Sequence, residues 1–139
     1  MANRWAPWIE AKVFGPPAAQ TITGTTWTDV TNVTSTVTCK VPTRLQIHVT
    51  VSYVGTSVAP GDLEVRVDVA GALSPIGPVT LTKDEKQVLH FAVTADVAAD
   101  TATVIHVEAK GSGAAKSIDF AADKSFMTIV GLPSEGVSY

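Results

Sequence analysis

Two period-two alternations stand side by side between Val33 and Val54, and they constrain the fold more than any other stretch. In the first, Val33, Ser35, Val37, Cys39 and Val41 share one face, opposed by Thr34, Thr36, Thr38 and Lys40. In the second, Leu45, Ile47, Val49, Val51 and Tyr53 are opposed by Arg44, Gln46, His48, Thr50 and Ser52. Period two is the side-chain repeat of a strand with one buried face. Pro42 stands between the runs and has no N–H for a central ladder, so the chain must turn or change sheet there. Two amphipathic strands need a second apolar layer to cover them.

The rest of the chain supplies that layer. Leu63, Val65, Val67 and Val69 alternate with Glu64, Arg66 and Asp68. Leu89, Phe91 and Val93 alternate with Val88, His90 and Ala92. Thr103, Ile105 and Val107 alternate with Ala102, Val104, His106 and Glu108. Shorter strands are expected at 26–30, with Trp27 inward, at 79–81 and at 125–130, with a minor one at 118–120. Ala59-Pro60-Gly61-Asp62 reads as a turn, residues 70–78 as a Gly/Pro-bearing loop, and 111–116 as a hairpin connection.

About eight strands with no long helical pattern predict an all-β, two-sheet antiparallel sandwich. Jelly-roll order is preferred over an immunoglobulin-like sandwich. It places 26–30, 125–130, 44–54 and 87–93 in one sheet and 33–41, 101–109, 63–69 and 79–81 in the other. The expected core is Leu45, Ile47, Val49, Val51, Val65, Val67, Leu89, Phe91, Ile105 and Val107. Val88, Val104, Met127 and Ile129 fall on outward faces in this register. That apolar set suggests a contact surface and a homo-oligomer, either a dimer or a trimer.

The 139 residues fit one domain. More than a quarter are Val or Thr, which favour pleated surfaces. A formal net charge of −3 with no basic face argues against a nucleic-acid partner. No apolar run reaches the length of a membrane helix, and residues 1–24 lack a signal-peptide pattern. The single cysteine, Cys39, excludes an intrachain disulfide and fits synthesis in a reducing cytoplasm.

No constellation for catalysis stands out, so the chain is read as non-enzymatic, with no cofactor and no metal. His48 and His90 belong to neighbouring strands of one sheet and His106 to the other, which does not make a three-histidine site. Cys39 alternates with valines and reads as a small core residue. Gly111–Ser117 lacks the glycine before lysine and the following helix of a phosphate loop. Asp96, Asp100, Asp119 and Asp123 match no calcium-loop spacing.

Residues 1–20 break the strand rhythm. Two of the three tryptophans lie in the first eight residues, and Trp5, Pro7, Trp8, Ile9 and Phe14 form a cluster suited to anchoring. The expected organisation is therefore an N-terminal docking arm at 1–20, a β-sandwich at 21–132 and a tail at 133–139. An arm folded back onto its own sandwich is the rival expectation.

Trp27-Thr28-Asp29-Val30, the alternating strands, and Ser125-Phe126-Met127-Thr128-Ile129-Val130-Gly131-Leu132 together resemble the jelly-roll modules of bacteriophage virions. These modules include capsid decoration (cement) proteins and fibre heads. The last strand is similar to the closing strand of the tumour-necrosis-factor-like variant. The resemblance covers about residues 21–132 and brings no catalytic residues. It implies a structural virion protein on the capsid surface that binds the major capsid protein of the shell and clamps neighbouring subunits. A receptor- or glycan-binding module of a fibre or tail is the alternative. The start at Met1 with only a short arm favours a stand-alone subunit over a fibre tip.

Overall fold

Ten strands, all antiparallel to their sheet neighbours, make up the computed structural model, which describes residues 9–55, 61–81, 84–111 and 117–133. They are β1 (Ile9–Gly15), β2 (Gln20–Thr23), β3 (Thr28–Val37), β4 (Thr43–Gly55) and β5 (Gly61–Val69). The chain continues through β6 (Ala72–Leu81), β7 (Lys86–Val97), β8 (Thr103–Gly111), β9 (Ser117–Phe120) and β10 (Ser125–Pro133). Among the described residues no helix is long and apolar enough to cross a membrane.

One sheet has four strands in the order β3-β8-β5-β6. The other has six and is organised around β4. On one side of β4 lies β7, paired from Thr43 to Val54. On the other side β10 pairs with residues 43–50 and β9 with Tyr53–Gly55. β1 then adds to β10, and β2 to β9. With the β2/β9 pair set aside, the remaining strands run first-eighth-third-sixth in one sheet and second-seventh-fourth-fifth in the other. That is the jelly-roll order.

The strands filling the first two places differ from expectation. The first is β1, inside residues 1–20, with Ala11 and Val13 packed against the core. The second is β3, which merges the two strands expected at 26–30 and 33–41. Its register with β8 shifts between Asp29 and Thr34, where Asn32 takes a positive φ of 69°. This bulge lets Val30 and Val33 both face inward although they are three residues apart. Residues 72–78, expected as a loop, belong to β6. Pro75 and Pro78 are tolerated because β6 is an edge strand and need not donate outward.

Nine of the ten expected core residues are buried, and Leu89 is half-buried. Met127 and Ile129, expected to face outward, are fully buried. They lie opposite Val49 and Ile47, and antiparallel partners share a face. Trp27, expected inward, lies half-buried against Arg66 and Lys110 on the outer face. Ile22, Ile118 and Phe120 close one end of the core, with Phe120 against Tyr53 at 6.4 Å.

Candidate functional site: the two outer sheet faces

The outer face of the four-stranded sheet is closed by its own charges. Sheet register places Asp29, Glu108 and Arg66 in one row, and Thr34, His106 and Asp68 in the next. Arg66 donates to both Glu108 oxygens at 3.2 Å, with side chains only 18% and 10% exposed. The Arg66 guanidinium lies 4.3 Å from the Trp27 ring centre, and Lys110 Nζ lies 4.8 Å from it. Lys110 also meets Glu64 at 3.5 Å. Trp27 is thus held by cations on the surface.

His106 links three strands. Its Nδ1 lies 2.8 Å from Asp29 on β3 and its Nε2 lies 3.1 Å from Asp68 on β5. Partial burial pulls its pKa down, but the Asp29 hydrogen bond and the charges of Asp29, Asp68 and Glu108 outweigh that and raise it. The protonated ring donates to both carboxylates.

Asp29, His106 and Glu108 also offer three ligand atoms within 4.8 Å of one another. One imidazole and two carboxylates suit a divalent ion. Here Arg66 already occupies both Glu108 oxygens, and both imidazole nitrogens have carboxylate partners. Positive charge in this cluster comes from the protein itself. An open concavity of about 330 Å³ adjoins it, lined by Asp29, Val30, Thr31, Asn32, Thr34, Val104 and His106. The bulge in β3 shapes this hollow. Neither the bulge nor the cross-strand charge rows are visible in the alternation that marks the strands.

The outer face of the six-stranded sheet is different. A row of Phe14, Phe126, Thr50 and His90 crosses β1, β10, β4 and β7. Phe14 and Phe126 meet at 5.7 Å between ring centres, and Lys12 Nζ stands 5.3 Å from both. His48 and His90 stack at 6.2 Å, and Thr50 bonds His90 at 2.7 Å. Phe14 is 46% exposed and Val88 is 63% exposed. An ion pair, Arg44 with Asp96 at 2.9 Å, borders this face at one end. Its hydrogen bond lowers the Asp96 pKa and raises that of Arg44.

Of the residues expected to bind a partner, Phe14 stands on this face and Ile9 opens β1 opposite Gly131. Trp5, Pro7 and Trp8 lie outside the described residues. The aspartates considered for calcium are not brought together: Asp96 pairs with Arg44, Asp100 lies near Lys40, and Asp119 accepts from Thr21. Phe126, His48 and His90 join Phe14 only through sheet order. No protein-family model matches the chain, and no curated protein is similar to it.

Proposed function

We propose that the chain is a structural virion protein that binds the outer surface of a phage capsid and stabilises it by clamping neighbouring shell subunits. The observation that carries this reading is the position of Phe14. It is exposed on the outer face of the six-stranded sheet, and Trp5, Pro7 and Trp8 precede its strand by a few residues. An aromatic-rich stretch of sequence therefore directly precedes a strand that presents an exposed ring. Aromatic side chains bury large areas with few rotamers to fix, which suits an anchor. Symmetric repetition of weak anchors over a shell supplies avidity.

Co-sedimentation with capsid shells tests this. Deletion of residues 2–8, and separately Phe14→Ser, is expected to abolish binding while each variant still melts cooperatively. Full binding by both folded variants overturns the reading. The hollow beside Asp29, Asn32, Thr34 and His106 favours a second reading, recognition of a glycan by polar groups beside the exposed Val104. A glycan array that responds to the intact protein but not to Asp29→Asn would support it.

A further inference from the structure

Sheet edges are templates for other strands, and proteins usually blunt them. Four other edges here carry such devices, β2 through having only four residues. β6 holds Pro75, Pro78 and Gly77 at a φ of 110°. β3 carries its bulge and lies against β1, whose Gly15 leaves no room for a Cβ beside the Thr31 carbonyl. β1 has seven residues and runs into Pro16. β7 has none of these features. It is twelve residues long, pairs with β4 through twelve successive positions without a register shift, and contains neither Gly nor Pro. Its inward side chains are uncharged. Among the described residues, β4 is its only strand neighbour.

We infer that β7 is a dimerisation edge, pairing antiparallel with β7 of a second copy about a two-fold axis through Phe91. The occupant follows from the sequence of the strand. Directly opposed residues share a face, and centring on Phe91 sets Lys86 against Asp96, Val88 against Thr94 and Leu89 against Val93. Both charged side chains of the strand then meet an opposite charge. Centring one residue earlier sets His90 against itself and Lys86 against Thr94. Centring one later sets Val88 against Asp96. Of these three registers, the one centred on Phe91 is complementary in charge and in apolar character. About six N–H and six C=O groups on the free side of β7 gain partners, since alternate residues of a strand point to each side. Leu89 and Val93, half-buried in the single chain, lie together in the joined sheet. The pairing stands on the sheet edge and is independent of the capsid reading.

The test is a double variant, Val88→Cys with Thr94→Cys. Both positions are exposed. Across the axis their Cα atoms would lie about 4.5–5.5 Å apart, within disulfide range. Within one chain the two positions are about 20 Å apart along the strand. Mild oxidation is expected to give a covalent dimer on a non-reducing gel. Each single variant should stay uncross-linked, since like positions are also about 20 Å apart across the axis. The unmodified protein should have the mass of a dimer by light scattering. Its β7 amides should exchange more slowly at concentrations where the dimer forms. A monomer or trimer by light scattering, an oligomer whose double variant does not cross-link, or β7 exchange independent of concentration each overturns the inference.

Discussion

Glu108 anchors the ion-pair rows on the outer face of the four-stranded sheet. Its carboxylate is nearly buried and takes both hydrogen bonds of Arg66, which in turn packs on Trp27. Glu108→Gln keeps the shape but leaves the guanidinium without its counter-charge. A loss of roughly 1.5–3 kcal/mol is expected, as for hydrogen bonds to charged groups, measured by urea unfolding. His106 makes a pH-dependent contribution. Its folded pKa is raised above the ordinary value, so its stabilisation is full below about pH 6.5. It is lost as pH rises through the folded pKa. Melting temperature should therefore fall with rising pH across this window, and His106→Gln should flatten the slope. With Asp29 largely exposed, the amount is less than about 1 kcal/mol. An unchanged slope in His106→Gln would assign the pH dependence elsewhere. The outward positions of His48, His90 and His106 were legible from alternation. The closing of the Asp29–His106–Asp68 bridge was not, because it depends on which strands become neighbours.

The hairpin between β5 and β6 shows how an element hides from the alternation. Val69 pairs with Ala72, so the turn is only Ala70-Gly71, and both residues have positive φ, 50° and 94°. Two positive φ values in a two-residue loop define the turn that matches strand twist and favours Asn-Gly. Asp68 accepts the Gly71 N–H at 2.7 Å and steadies it. Ala70 has no side-chain amide to offset the left-handed conformation, which costs about 1–2 kcal/mol for an ordinary L-residue. Ala70→Asn should stabilise the domain by up to about 1 kcal/mol, seen as a higher urea midpoint with an unchanged slope. A lower midpoint would mean that the Ala70 methyl is needed in this turn. Residues 72–78 of β6 have the look of a loop because Pro75, Gly77 and Pro78 are breakers, yet at an edge they cost the ladder little. β1 was concealed differently. Ile9, Ala11 and Val13 alternate with Glu10, Lys12 and Phe14, but adjacent tryptophans and prolines made the segment look irregular.

At the scale of the molecule, the N-terminal segment divides at Ile9. Residues 9–15 are structural: β1 pairs with β10 through all seven positions, and Asn32 donates to the Phe14 carbonyl at 3.1 Å. Residues 2–8 carry Trp5, Pro7 and Trp8 and, on the capsid reading, serve the partner. Two truncations separate these roles. Removing residues 2–14 strips β1 from β10, takes Ala11 and Val13 from the core, and uncovers one flank of Met127 and Ile129. Losing two partly buried apolar side chains and a strand of backbone pairing should cost several kcal/mol, given about 1.5–3 kcal/mol for each fully buried aliphatic side chain. That is a large share of the stability of a domain this size. Removing only residues 2–8 leaves every one of these contacts in place, so its melting temperature should match that of the full chain while shell binding is lost. Equal destabilisation by the two truncations would mean that the tryptophans pack on their own sandwich, and the anchoring role would pass to the face around Phe14 and Phe126 alone.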